Sequence, residues 1–187
     1  MSKIKRVSLF FRVLFQFVFI AYPILLISCW INAPEPLTML AHVFEINVIP
    51  RAYSSKGIMP ILHTLSVNEK LMGFFVSLVP LAIELFVLHC LIKLFRLYER
   101  GEIFSLNNVT YIKNIGYALL LGQLINPFYQ GIMGVVLTMR NPPGHRYAGI
   151  TFDQTNLGIV LTALLVILIS WVMAEGCRLR EEQQLTI

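Results

Sequence analysis

The residues of this chain most able to do chemistry are polar groups stranded inside apolar runs. Glu84 falls in the middle of Leu71–Leu94. Gln123, Asn126 and Gln130 follow at i, i+3 and i+7 of a later run and so share one stripe of a helix. Gln16 interrupts the first run. At ~1.5 Å per residue, Glu84, Gln16 and Gln123 all lie about 12–15 Å from the same edge, so they are expected to meet as an intramembrane polar cluster. Such groups are costly in hydrocarbon. They mark either amide-bonded clasps between helices or sites for a proton, ion or ligand. Both readings of the cluster stay open. Near that edge, Arg12 and Glu175 are close enough in depth to form an ion pair, unless Arg12 simply extends to the interface.

Other reaction chemistry has little to stand on. Cys29, Cys90 and Cys177 are far apart and form no C-x-x-C pair, so they read as buried thiols and count against a thiol oxidoreductase. His42, His63, His89 and His145 lack metal-ligand spacing, and no metal or cofactor is implied. There is no Ser-His-Asp arrangement and no phosphate-cradling glycine loop. An enzyme is therefore the least favoured reading.

Four apolar stretches must position the polar groups: 8–31 (continuous from Val13), 71–94, 115–137 and 157–177. A hydrocarbon core of roughly 30 Å takes about 20 helical residues. Lipid offers no partners to stray backbone groups, so the spans should be helices. Composition agrees, with 57% apolar and 13% charged residues; a soluble domain carries about 25% charged. The expected fold is an all-α membrane protein, one four-helix bundle domain over 1–187.

The net charge of +5 sits at the span ends, which is the pattern of an orientation signal and not of a nucleic-acid surface. Lys3, Lys5, Arg6, Arg12, Lys93, Arg96, Arg100, Lys113, Arg178 and Arg180 fall on one side. Arg51, Lys56, Lys70, Arg140 and Arg146 fall on the other. The positive-inside rule then puts both termini in the cytoplasm. Asn32–Lys70 becomes an extracytoplasmic loop of about 40 residues, with apolar runs Leu37–Ile49 and Ile58–Leu65 too small for a core of their own. The basic start and Leu26-Ile27-Ser28-Cys29 loosely resemble a lipoprotein signal, against which Arg12 and bulky Trp30 weigh.

Local signals punctuate the spans. Ser66-Val67-Asn68-Glu69 has capping-box spacing before the second span. Asn141-Pro142-Pro143-Gly144 reads as a turn, and Asp153, Thr155 and Asn156 are candidate caps of the last helix. Ala118/Gly122 and Ser170/Ala174 are small-xxx-small pairs that permit close helix approach. Between the second and third spans, Gly101 is placed to stop a helix and Ser105 to cap the next, with Phe104 expected to pack beneath it as a hydrophobic staple.

Two stretches carry a family resemblance: Gly101-Glu102-Ile103-Phe104-Ser105 with the Asn-bearing helix start and Ile115-Gly116 after it, and the exit of the last span, Met173-Ala174-Glu175-Gly176-Cys177-Arg178-Leu179-Arg180-Glu181-Glu182, with the ending Gln184-Leu185-Thr186-Ile187. Together they resemble the bacterial membrane family called domain of unknown function 2975. The resemblance implies a bacterial inner-membrane protein. It supplies no catalytic or ligand residue. It also implies a cytoplasmic partner of the small helix-turn-helix regulator class.

The leading functional reading is a regulatory or interaction protein in the bilayer that binds a cytoplasmic protein. Its docking residues would be Arg100, Gly101, Phe104 and Ser105 of the inner loop, with Arg178, Arg180, Glu181 and Glu182 of the tail. The alternative is a small channel or transporter subunit, acting as a homo-oligomer through the Glu84 cluster.

Overall fold

The computed structural model describes residues 3–32, 65–146, 149 and 154–185. All regular structure among them is helical: α1 (Lys3–Asn32), α2 (Val67–Arg100), α3 (Leu106–Thr138) and α4 (Gln154–Leu185). Each is long and apolar enough to cross a membrane. At 30 to 34 residues apiece they run about 45–51 Å, well past a hydrocarbon core of roughly 30 Å. The apolar stretches set where the helices cross, and polar caps beyond them set where the helices stop. Pro23, Pro80 and Pro127 lie inside α1, α2 and α3, where each leaves a backbone carbonyl without its usual amide donor. The runs Leu37–Ile49 and Ile58–Leu65 lie outside the described residues, Leu65 excepted, as does Asp153.

The chain forms two compact units. One comprises Met1–Ile20, Ile83–Leu124 and Asp153–Ile187. Its buried residues include Cys90 and Leu94 of α2, Val109, Ile115 and Ala118 of α3, and Ala163, Ile167, Ser170 and Cys177 of α4. Helices α3 and α4 approach most closely at Gly116, where an added Cβ would stand 2.5 Å from Ile167 Cγ1 and 3.2 Å from the Ala163 carbonyl oxygen. Ser170 turns its hydroxyl onto its own helix and donates to the Ile167 carbonyl at 2.6 Å, which hides the polar group. A Cβ added at Gly122 would stand 3.5 Å from Ile83 Cγ2 of α2, an ordinary contact.

The other unit comprises Ala21–Ala82 and Ile125–Phe152. Here the Trp30 ring lies on Gly73 of α2. Leu26 and Cys29 of α1 are buried with Trp30, and Met133 and Leu137 of α3 are wholly buried. The capping box forms as its spacing predicts. Ser66 N–H donates to Glu69 Oε2 at 2.7 Å, and Glu69 N–H donates back to Ser66 Oγ at 3.4 Å. Lys70 Nζ reaches the Ile31 carbonyl at 3.4 Å, placing a cation on the last turn of α1. After α3 the chain turns at Asn141, whose side-chain amide donates to the His145 carbonyl at 2.9 Å, and Gly144 takes φ 92°. Arg146 Nε donates to the Asn141 carbonyl at 3.1 Å.

Candidate functional site

The α2–α3 hairpin is the most fully built connection in the first unit. Helix α2 ends in a Schellman turn. Gly101 adopts φ 86°, its N–H donates to the Tyr98 carbonyl at 3.1 Å, and Glu102 N–H donates to the Leu97 carbonyl at 3.1 Å. Only a residue without Cβ takes that backbone free of strain. Four residues on, Ser105 caps α3, with its Oγ accepting from Asn108 N–H at 3.4 Å and its carbonyl from Val109 N–H at 3.2 Å. Asn108 closes the turn. Wholly buried, it donates through Nδ2 to the carbonyls of Glu102 and of Ile103, the latter at 2.8 Å. One side chain on α3 thereby satisfies two carbonyls in the turn that follows α2.

Phe104 does not form the expected staple. It is 65% exposed, and Leu106 beside it is 50% exposed. The grip of Asn108 on the two preceding carbonyls draws the backbone of residues 102–103 inward. Ile103 is accordingly the more buried residue, and Phe104 is left at the tip. Arg100 and Glu102 flank that tip and are exposed, while Ser105 is half-buried. In the tail, Arg178, Arg180, Glu181 and Glu182 are all exposed on a helix that continues to Leu185. Hairpin and tail belong to the same unit.

The expected Arg12–Glu175 pair is replaced by another. Arg12 Nη1 lies 3.1 Å from Glu99 Oε2 of α2. Glu175 instead sits 3.7 Å from Arg178 on its own helix, where both side chains are about two-thirds exposed, an arrangement that contributes little. The reason is the neighbour α1 has at that level. Phe11 and Phe15 pack on Phe95 of α2 with ring centroids 5.3 and 5.6 Å apart, and Phe95 meets Tyr98 edge-on at 5.7 Å. Glu99 is one helical turn beyond Phe95, within reach of Arg12.

The pair is anchored by one leg. Its side chains are only 27% and 18% exposed, yet Arg12 Nε and Glu99 Oε1 are buried with no hydrogen-bond partner among the described residues. A hydrogen bond between charged groups contributes about 1.5–3 kcal/mol, and each buried polar atom left unsatisfied costs about 1–3 kcal/mol. The two effects are of similar size, so the pair adds little net stability.

The residues expected to form the intramembrane cluster are each placed on their helices as follows. Glu84 and Gln16 are exposed on α2 and α1. In this unit the buried seam of α2 runs through Cys90 and Leu94. Six residues of helix turn Glu84 about a third of a turn away from Cys90. Gln123, Asn126 and Gln130 are half-buried, and Glu84, Asn126 and Gln130 each have interaction partners. Gln123 Oε1 is buried without a hydrogen-bond partner among the described residues. Because Gly122 faces Ile83, the next residues in each helix, Gln123 and Glu84, stand at one level of this unit. No group of three or more metal-ligating side chains occurs among the described residues.

Two contributors do not stand out from the sequence alone. Asn108 reads there only as part of a helix start, although an Asn three residues after a capping Ser is well placed to reach back into a hairpin. Glu99 carries no local signal, because its partner depends on which helix α1 packs against.

Among curated proteins and solved structures, none matches the chain. The profile of the family described as protein of unknown function DUF2975 matches residues 56–187, which takes in α2, the hairpin, α3 and α4 and leaves α1 ahead of it. The chain is a multi-pass membrane protein belonging to the DUF2975 family.

Proposed function

We propose that this protein resides in a bacterial inner membrane with both termini in the cytoplasm, and that it docks a cytoplasmic protein through the α2–α3 hairpin and the helical tail. One observation carries the reading: a hairpin fixed by a buried Asn108 presents exposed Phe104 and Leu106 at its tip. An aromatic side chain on a preformed turn makes an efficient anchor, because little conformational freedom is lost when it enters a partner's pocket. The charges around it alternate in sign, Arg100 with Glu102 and Arg178 and Arg180 with Glu181 and Glu182. That pattern suits a protein surface better than anionic lipid, which favours an unbroken basic cluster. The partner class implied by the family resemblance is a small helix-turn-helix regulator.

Phe104→Ser is expected to reduce partner capture from native membranes at least tenfold, with insertion and thermal stability unchanged, since the side chain is mostly exposed. Charge reversal at Glu181 and Glu182 should reduce capture severalfold. Capture that withstands both changes would remove the docking reading.

Orientation is tested separately. Reporter fusions after Lys113 and after Ile187 should give a cytoplasmic signal, and fusions in Asn32–Lys70 and Thr138–Asn156 the opposite one. An external signal at Ile187 would invert the assignment of the hairpin to the cytoplasm.

A second reading, a small channel or transporter subunit, is favoured by the buried, unpartnered Gln123 Oε1 at the level of Glu84. Proteoliposome ion flux abolished by Glu84→Gln, with capture unaffected by Phe104→Ser, would make it the better account.

A further inference from the structure

We infer that the N-terminal part of α1, Lys3–Ile20, is releasable while the Trp30 end stays packed on Gly73, and that the Arg12–Glu99 pair is the weak latch holding that part on α2 next to the hairpin. Three observations lead there. First, the pair is anchored by a contact of 3.1 Å while two of its other polar atoms, Arg12 Nε and Glu99 Oε1, are buried without hydrogen-bond partners among the described residues. Opening the latch relieves both. Arg12 can extend its long side chain to the phosphate layer, and Glu99 has an arginine at i−3, Arg96. An apolar pair of the same volume would hold α1 more firmly than these charges do.

Second, between Lys3 and Ile20 the only buried residue of α1 is Ser8. Beside the pair, Phe11 and Phe15 pack on Phe95 at this level. Rings of that kind keep a helix in register without fixing it in charge. Third, the family profile begins at residue 56, so Arg12 lies outside the matched segment and Glu99 inside it. The latch therefore joins α1 to the segment shared with the family, and it does so two residues before the Gly101 turn. Release of this part of α1 uncovers Phe95, one turn from Glu99 and the hairpin. This inference goes beyond the docking reading and does not depend on it.

The test uses the full chain in nanodiscs, with Cys29, Cys90 and Cys177 replaced by Ala and nitroxide labels on cysteines placed at the exposed positions Val13 and His89. Pulsed dipolar spectroscopy then reads the α1–α2 separation directly, with no partner present. Two distances are expected, the shorter one dominant. Arg12→Glu should lower the short-distance fraction at least threefold, and Arg12→Glu with Glu99→Arg should restore it. Arg12→Met with Glu99→Leu should drive the population almost wholly to the short distance. A single short distance that Arg12→Glu leaves in place would overturn the inference. So would failure of the double reversal to restore that distance, or its loss in the Met/Leu variant. None of these outcomes bears on partner capture, so failure of the latch and failure of the docking reading remain distinguishable.

Discussion

Asn108→Leu is expected to loosen the α2–α3 hairpin. Asn108 is fully buried and its amide serves the Glu102 and Ile103 carbonyls together. Leucine fills a similar volume and supplies neither donor. The two bonds are part-buried and worth about 0.5–1.5 kcal/mol each, and leucine also removes the Asn108 Oδ1 that is buried without a hydrogen-bond partner among the described residues, so the turn should lose about 1–2 kcal/mol of local stability. Hydrogen exchange at the Gly101 and Glu102 amides, which close the Schellman turn, should then quicken by roughly tenfold, since about 1.4 kcal/mol corresponds to a factor of ten. Asn108→Asp provides the control. It keeps size and polarity but removes the donors when ionised, so it should behave like leucine and not like wild type. Capture of a partner through Phe104 should fall in both variants even though Phe104 itself is untouched. Unchanged exchange in Asn108→Leu would show that the Gly101 turn holds without its side-chain tie.

The second large effect is expected at Gly73. A Cβ there would stand 2.6 and 2.8 Å from Trp30 Cζ3 and Cζ2 and closer still to Cη2, distances that real side chains do not tolerate. Trp30 is 4% exposed and has little room to retreat. Gly73→Ala should therefore cost about 1–3 kcal/mol, lowering the thermal midpoint in detergent by about 2–12 °C. Trp30→Leu in the same chain should recover part of that loss, because the clash is with a ring and not with backbone. Gly116→Ala is a useful contrast. There the Ala163 carbonyl and the Ile167 amide also crowd the new atom, at 3.2 and 3.3 Å, so trimming Ile167 alone should rescue much less. If Trp30→Leu gives Gly73→Ala no relief, the indole is not what limits the approach of α1 to α2.

Features governed by near neighbours in the chain are legible in the sequence itself. The capping box at Ser66 and Glu69, the stop at Gly101 and the cap at Ser105 each involve residues within a few positions of one another, so their types and spacing suffice. The four helices are equally plain, because lipid leaves long apolar segments few alternatives. Contacts between helices are a different matter. Depth alone matches Arg12 with Glu175 as well as with Glu99, and the choice rests on Phe11 and Phe15 meeting Phe95. Likewise, depth puts Glu84 and Gln16 beside Gln123 but says nothing of rotation about the helix axis, which leaves both of them exposed. Phe104 departs from expectation for a related reason. The staple rule considers only the helix that follows, whereas Asn108 ties that helix back to the turn before it.

Helix α4 continues without interruption from Gln154 to Leu185, so its last eight residues form a rod of about 12 Å beyond Cys177. On such a rod, tail length is converted into direction. Each residue inserted after Cys177 advances the charged end by about 1.5 Å and swings it through about 100°. Glu181 and Glu182 are therefore aimed by residue count, and a single insertion would point them to a different quadrant with every side chain intact. Seven added residues would bring them back to within about 20° of their original azimuth, roughly 10 Å farther out. On the docking reading, changes in tail length act as changes of bearing, with whole heptads restoring the direction of Glu181 and Glu182 at a greater reach.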